Sequence, residues 1–288
     1  MDHPRKRLLA GLPLTERRLE LAGASTVVLE GGDGPPLVLL HGGIESGGAY
    51  WAHVVPSLAE SHSLVVPDFP GLGESDPLAR LDVEAFADWL AELVQSTCRE
   101  EPTLIAHSLM GNLSARLAAR HGELLRRLVI YGAPAIGPFR MPLGLRVVAI
   151  RFALRPTERN EERFERRAFH DLDRARRRDP EWFEAWSAYS RARAVAPQCK
   201  RAMRWLIPHC TKAIPEDDLR RIGLPTALLW GRHDRFVGLD HAEAASARLG
   251  WPLHVVDDTG HVPHLEQPEA FLHSVRAAMT PSSAVIGL

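Results

Sequence analysis

Short apolar runs that end abruptly in glycine or polar residues most constrain the fold of this chain. They lie at 37–40, 64–67, 103–106, 128–131, 226–230 and 253–256, after two strand-like segments at 14–21 and 26–30. Continuous runs of this length are typical of strands buried on both faces of a sheet. Predicted helices at 49–60, 83–97, 109–121 and 268–279 alternate with the runs. This alternation predicts an α/β fold with a mostly parallel central sheet flanked by helices.

The alternation stops between residues 135 and 218. This stretch shows no strand pattern and is rich in arginine, tryptophan and helix-forming residues. We therefore expect a core formed by residues 1–134 and 219–288, interrupted by a helical cap insertion at 135–218. The last eight residues, 281–288, are expected to form a loose tail.

The overall charge and composition of the chain limit the kinds of molecule that it is expected to bind. The formal net charge is −1, so the chain as a whole does not attract nucleic acid or an anionic membrane. No apolar run reaches the roughly 18–20 residues that span a bilayer. The three cysteines are irregularly spaced and predict neither disulfides nor a zinc site. We expect a cytoplasmic monomer or homodimer with no nucleic-acid or membrane partner, and the N-terminus does not resemble a secretory signal.

Ser108 stands at the junction between a predicted strand and a predicted helix. On a sharp turn at this place, a serine hydroxyl projects from the carboxyl edge of the sheet. The following helix N-terminus supplies free backbone N–H groups and a positive dipole end. A serine in this position is also a common helix N-cap, so the junction alone does not identify a nucleophile.

Five segments together resemble the α/β-hydrolase superfamily, and the resemblance covers nearly the whole chain. They are LVLLHGG at 37–43, DFPGLGES at 68–75, AHSLMG at 106–111, LLWGRHD at 228–234 and GHVPHLEQPE at 260–269, in the order the family uses. The resemblance implies the α/β-hydrolase fold with an inserted helical cap, and a serine nucleophile acting without a cofactor or a metal.

The resemblance also implies roles for particular residues. Ser108 matches the nucleophile, Asp234 the acid and His261 the base, in the chain order Ser, Asp, His. The acid would fix the tautomer of the histidine, which accepts the serine proton. The backbone N–H groups of Gly43 and Leu109 would form the oxyanion hole. Weaker candidates for the acid are present at 240, 257 and 258.

The segment around Ser108 departs from the family's Gly-x-Ser-x-Gly pattern at two positions. Ala106 and Met110 replace the two glycines. Because small residues normally relieve crowding in this turn, Met110 must open the turn slightly or direct its side chain toward the pocket. We expect Met110, Phe139 and Trp186 to contribute to the substrate pocket, with Met110 crowding the turn as the alternative.

The predicted function is hydrolysis of a small ester or related acyl compound through an acyl-enzyme. The same residues serve carbon–carbon bond hydrolases, lactonases, thioesterases and cofactor-free peroxidases, and the sequence does not separate these reactions. A catalytically impaired, ligand-binding protein is a further alternative, and Met110 is the residue that favours it. The arginines at 166–178 are expected to form a solvated face with acidic partners, or to bind an anionic ligand.

Overall fold

The computed structural model describes residues 3–280, so the tail predicted at 281–288 lies outside the described residues. Eight strands form one sheet in the order β1-β2-β4-β3-β5-β6-β7-β8. Strands β1 and β2 and the pair β2 and β4 are antiparallel, and all other neighbours are parallel. The strands are β1 Thr15–Leu21, β2 Ala24–Gly31, β3 Pro36–Leu40, β4 Ser63–Pro67, β5 Thr103–His107, β6 Arg127–Tyr131, β7 Thr226–Gly231 and β8 Leu253–Val256. The mostly parallel α/β sheet is therefore confirmed.

Helices precede, connect and follow the strands. Outside the insertion they are α1 Pro4–Leu9, α2 Gly47–Tyr50, α3 Val55–Ala59, α4 Val83–Thr97 and α5 Ser108–His121, followed by a 3₁₀ turn at Gly122–Leu124. Between β6 and β7 lie six helices: α6 Leu143–Leu154, α7 Glu158–Ala168, α8 Leu172–Arg178, α9 Pro180–Val195, α10 Pro197–Cys210 and α11 Glu216–Arg220. The C-terminal part adds α12 Leu239–Leu249, α13 Pro263–Glu266 and α14 Pro268–Met279.

The single helix expected at 49–60 was wrong. The structure divides it into α2 and α3, with Pro56 in the first turn of α3. Proline fits a first helical turn but cannot continue a helix from the preceding residues, because it lacks an N–H group. By contrast, α4 begins after Asp82 as expected, and the Asp82 side chain accepts a hydrogen bond from the Ala85 N–H at 2.9 Å.

The core lies on both faces of the sheet. Along β3, Val38 and Leu40 belong to one buried apolar cluster, whereas Leu37 and Leu39 belong to the other. Successive side chains of a strand point to opposite faces, so an uninterrupted apolar run fills both layers. The parallel strands thereby bring all their carboxyl ends to one edge of the sheet, where the loops carrying residues 41–46, 107–109, 232–237 and 257–262 begin.

Candidate active site

Ser108 lies on the turn between β5 and α5. Its backbone φ is +54°, in the left-handed region that non-glycine residues rarely adopt. Strain of this kind costs about 1–3 kcal/mol and persists where the surroundings hold the residue in place. The side chain is partly exposed at the carboxyl edge of the sheet. Because α5 begins at Ser108, the N–H of Leu109 lies in the first turn, where backbone donors lack helical partners.

His261 connects Ser108 to Asp234. Its Nε2 lies 3.0 Å from Ser108 Oγ, and its Nδ1 lies 2.7 Å from Asp234 Oδ2. The carboxylate accepts the Nδ1 proton, so Nε2 is left as the acceptor for the serine hydroxyl. The Asp234 Oδ1 atom accepts hydrogen bonds from the N–H groups of Phe236 and Val237, at 2.7 and 3.0 Å. The structure therefore brings together the three residues proposed as a triad, whereas Asp240, on α12, is exposed.

The loop after β3 approaches the nucleophile closely. A Cβ atom on Gly42 would lie 2.8 Å from the Cβ of Ser108, so this contact requires glycine. His41 Nδ1 donates to the carbonyl of Gly43 at 3.0 Å, and its Nε2 accepts from the Phe69 N–H at 2.9 Å. Burial lowers the pKa of His41 to about 4, so the ring is neutral at physiological pH. His41 thus fixes the shape of the loop and does not transfer protons.

Glu45 is a site residue that the sequence did not indicate. Its side chain is 6% exposed, and any side chain at Gly43 would collide with its carboxyl group. Burial raises the pKa of Glu45, which favours the neutral form. The raised pKa reduces the negative charge beside Gly43, and such a charge would oppose a negative oxygen there.

His107 joins helix α2 to the loop that carries His261. Its Nε2 donates to the carbonyl of His261 at 2.9 Å, which leaves Nδ1 to accept from the Tyr50 hydroxyl at 2.6 Å. Burial lowers the pKa of His107 well below its ordinary value, consistent with a neutral ring. The side chain therefore holds the His261 loop in place through two hydrogen bonds. Tyr50 was not singled out from the sequence.

Glu266 ties the insertion to the loop that carries His261. Its Oε1 accepts from the Gly260 N–H at 2.6 Å, and its Oε2 accepts from the N–H groups of His170 and Asp171 at 2.8 and 3.0 Å. The N–H of His261 also donates to the carbonyl of Ala168 at 2.6 Å. The end of α7 is thus bonded directly to the backbone of His261, and the Glu266 side chain bridges the segment between α7 and α8 to Gly260.

The structure does not gather the three proposed pocket residues into one group. Met110 is 1% exposed and packs in the same apolar cluster as Phe139, which contacts the ring of His241. Trp186 lies in the other cluster, with its ring 6.0 Å from that of Tyr50. The Met110 side chain therefore packs in the core, and its contribution to the substrate pocket stays a prediction.

The crowding expected at Met110 occurs one residue later. A Cβ atom on Gly111 would lie 2.7 Å from the Cβ of Ala133 and 2.8 Å from the carbonyl oxygen of Ala106. Gly111 thus permits the close contact between α5 and the sheet, and Met110 lies beside this contact without blocking it. The hydrogen bond between Ser108 and His261 forms with methionine in place.

One group of side chains has the composition of a metal site. His170, His233 and Asp258 offer ligand atoms that all lie within 4.8 Å of one another. Burial, followed by His233, Arg235 and Arg174, lowers the pKa of His170, and the two arginines also oppose a bound cation. We assign this group no role in the chemistry.

Comparison with known proteins identifies the family of this chain. The sequence model described as "Alpha/beta hydrolase family" matches residues 37–273, which is most of the chain. The chain belongs to the α/β hydrolase family. The expected fold class and family are therefore confirmed, and hydrolase activity is supported by the relatives.

Relatives of this α/β hydrolase include proteins with different reactions. A protein of Mycobacterium tuberculosis named as uncharacterized is 27% identical over 270 residues, covering 86% of this chain and 76% of that protein. The 2-hydroxy-6-oxo-6-(2'-aminophenyl)hexa-2,4-dienoic acid hydrolase of Metapseudomonas resinovorans is 24% identical and covers 90% of this chain and 89% of its own length. The structure of naproxen esterase from Bacillus subtilis superposes with a TM-score of 0.78 at 19% identity, covering 96% of each chain.

Proposed function

We propose that this α/β hydrolase is a serine hydrolase that cleaves a small ester or related acyl compound through an acyl-enzyme. The observation that carries the proposal is the continuous series of hydrogen bonds from Asp234 through His261 to Ser108, with distances of 2.7 and 3.0 Å. An isolated serine hydroxyl is a weak nucleophile at neutral pH and requires such a base.

In the first half of the reaction, Ser108 Oγ attacks the carbonyl carbon of the ester. Its proton moves to His261 Nε2, and Asp234 stabilises the imidazolium that forms. The backbone N–H groups of Leu109 and Gly43 would donate to the negative oxygen of the tetrahedral intermediate. When the intermediate collapses, the bond between carbon and the leaving oxygen breaks, and His261 returns the proton to the departing alcohol.

In the second half, a water molecule attacks the acyl-enzyme. His261 takes a proton from the water, the ester bond to Ser108 breaks, and the serine oxygen regains a proton as the carboxylic acid leaves. Removing one donor of an oxyanion hole typically lowers the rate by about 10²–10³. The close contact between Gly42 and Ser108 supports the placement of this loop as the second source of donors.

The three cysteines carry free thiols, which suits the cytoplasmic location we propose.

Carbon–carbon bond hydrolysis is the second candidate. It is favoured by the Metapseudomonas resinovorans relative, which matches over 90% of this chain. A panel of esters of increasing acyl length, lactones and vinylogous diketones would separate the two reactions. We expect the highest kcat/KM on a short ester, and a preference of more than tenfold for a vinylogous diketone would favour the second candidate.

Labelling by a fluorophosphonate probe tests the proposed nucleophile directly. We expect covalent labelling of the wild-type protein, none of Ser108→Ala, and full labelling of Ser114→Ala, whose serine is buried on the same helix. Thermal melts of both variants would establish that they are folded. Labelling that persists in Ser108→Ala would exclude this serine as the nucleophile, and an unlabelled wild type would favour the impaired, ligand-binding alternative.

A further inference from the structure

Helix α6, the first helix of the insertion, leaves large apolar side chains in solvent. Leu143 is 73% exposed, Val147 39%, Ile150 55% and Leu154 77%. Within residues 3–280, only two other large apolar side chains are comparably exposed, Val195 and Ile207. The exposure is therefore concentrated on one helix and is not the scattered exposure of single residues that ordinary surfaces show.

The four exposed side chains share one face of α6. Their spacing is i, i+4, i+7 and i+11, so at roughly 100° per residue they fall within a stripe about 60° wide. The opposite face carries Leu145 and Phe152, which are 5% and 7% exposed. A helix with apolar residues on two opposite faces is normally covered on both of them. Here the inner face is covered by protein and the outer face is not.

Positive charge surrounds the exposed stripe. Arg146 and Arg151 fall on either side of it, each about 40° from the nearest apolar residue of the stripe. Residues 139–157 contain these two arginines, Arg140 and Arg155, and no acidic residue. Within the part of the chain that the structure describes, none of the four arginines has a carboxylate within 4.0 Å. Their charge is thus available to a partner, unlike that of Arg166, which pairs with Glu162 and Asp173.

We propose that α6 is a docking element for an anionic lipid surface. The apolar stripe would enter the boundary between headgroups and acyl chains, and Arg146 and Arg151 would contact lipid phosphates. A second copy of the chain is a poorer occupant, because pairing two identical faces would bring unpaired arginines together. At 12 residues the helix is about 18 Å long, so it would lie in the plane of the surface.

None of the helices in residues 3–280 combines the length and apolarity needed to cross a bilayer. Peripheral docking requires no such helix, since the apolar face of an amphipathic helix enters only the outer part of one leaflet. The sequence-based expectation of no membrane partner rested on the missing span and on the overall charge. Neither the absence of a membrane-spanning run nor the net charge of the chain reveals a local apolar stripe flanked by arginines.

The inner face of α6 leads toward the candidate active site. Phe152 stacks on Phe164 with ring centroids 5.8 Å apart, Phe164 contacts Phe236 at 5.2 Å, and Phe236 contacts His261 at 4.6 Å. The exposed stripe of α6 lies on the face opposite Phe152, the first residue of this aromatic series. Docking through α6 would therefore press a helix near the candidate active site against the lipid surface. The contacts that the inner face of α6 makes with the rest of the protein would remain unchanged.

Sedimentation with lipid vesicles tests the docking. The full chain should bind vesicles of phosphatidylcholine with 30% phosphatidylglycerol, at least about tenfold more tightly than vesicles of phosphatidylcholine alone. Raising the salt concentration to 0.5 M should weaken binding to the anionic vesicles, because it screens the arginines. Ser108→Ala should bind as the wild type does, so this proposal does not depend on the proposed function.

Two pairs of substitutions separate the apolar and electrostatic contributions. Ile150→Gln with Leu154→Gln should weaken binding at least about tenfold, and Arg146→Gln with Arg151→Gln should do the same and reduce the dependence on salt. The control is Arg204→Gln with Ile207→Gln, an exposed arginine and an exposed apolar residue on α10. Melting temperature and turnover of a water-soluble ester should be unchanged in all three proteins, since none of these residues belongs to the site.

The proposal would be overturned if the wild type failed to bind anionic vesicles, or bound neutral ones equally well. Binding by the Ile150→Gln and Leu154→Gln protein at the wild-type level would also overturn it. Light scattering provides the remaining test. A dimer that dissociates on these substitutions, without any vesicle binding, would identify a second copy of the chain as the occupant of α6.

Discussion

The loops at the carboxyl edge of the sheet and the apolar layers beneath them hold their side chains by different means. At this edge, polar atoms are fixed by directional hydrogen bonds: the carboxyl group of Asp234 accepts three, and that of Glu266, at the end of α13, also accepts three. In the layers, residues such as Met110 are held by close packing alone. Changes in the loops should therefore alter the reaction more than the stability, and changes in the layers should do the reverse.

Asp234→Asn is expected to give the largest effect on the reaction. An amide at this position favours the wrong tautomer of His261, so kcat should fall by about 10³–10⁴ while the melting temperature changes little. Ester turnover and a thermal melt measure the two quantities. Asp240→Asn is the matched control, because this acidic residue is exposed on α12. A comparable loss of activity in the control would contradict the assignment of the acid.

Met110→Ala should show the opposite behaviour. Truncating a fully buried methionine removes packed volume and is expected to lower the free energy of unfolding by about 2–5 kcal/mol. The ratio of kcat/KM for short and long acyl esters should stay the same. Leu113→Ala, also 1% exposed on α5, is the control and should be destabilised to a similar degree. A change of acyl preference in Met110→Ala alone would assign this residue to the substrate pocket.

Glu266→Gln tests the bond between the insertion and the loop of His261. Burial raises the pKa of Glu266 from 4.5 to about 7, although three backbone N–H groups partly oppose the shift. A carboxyl group whose pKa is raised on folding contributes stability below pH 4.5 that is lost as the pH rises through about 7. Between pH 5 and 8, the wild type should therefore lose up to about 3 kcal/mol of unfolding free energy relative to the variant.

Chemical denaturation at several pH values would measure this difference. Glu269→Gln, an exposed neighbour on α14, should follow the wild type at each pH. A constant difference between wild type and Glu266→Gln would show that this carboxyl group keeps the same ionisation in the folded and unfolded states.

Removal of divalent metals should have the smallest effect. The proposed mechanism uses only Ser108, His261, Asp234 and backbone N–H groups, so turnover should be unchanged after treatment with EDTA. The same should hold for His233→Ala, which removes one member of the histidine and aspartate group near the site. Loss of turnover on chelation, restored by a divalent metal, would contradict the mechanism and give that group a role.

The sequence predicts the framework better than the details of contact. The six strands β3 to β8 lie where continuous apolar runs indicate them, because a strand buried on both faces has few competing interpretations. Strands β1 and β2 lie at the two strand-like segments that precede these runs. Ser108, Asp234 and His261 were singled out by their family motifs, and the fold brings them into hydrogen-bonding distance. The three motifs meet in the structure because each follows a parallel strand, and the loops after parallel strands all begin at the same edge of the sheet.

Contacts between distant segments account for what the sequence missed. Glu266 accepts hydrogen bonds from backbone 95 and 96 residues away, and no local pattern indicates such partners. The spacing around Ser108 could not show that the close contact falls at Gly111, because this depends on how α5 approaches Ala133. Apolar residues lie on two opposite faces of α6, and only the packing of the other helices reveals that the outer face is uncovered.

The left-handed backbone at residue 108 also restricts which amino acids could replace the serine. A threonine carries the same hydroxyl group, but its second branch on Cβ makes a positive φ a genuine conformational outlier. The Cβ of residue 108 is also crowded by Gly42, which leaves little room for an added methyl group. Cysteine keeps a single heavy atom on Cβ and retains a nucleophile. A nucleophilic side chain at residue 108 is therefore limited to serine or cysteine, and the secondary alcohol of threonine is excluded.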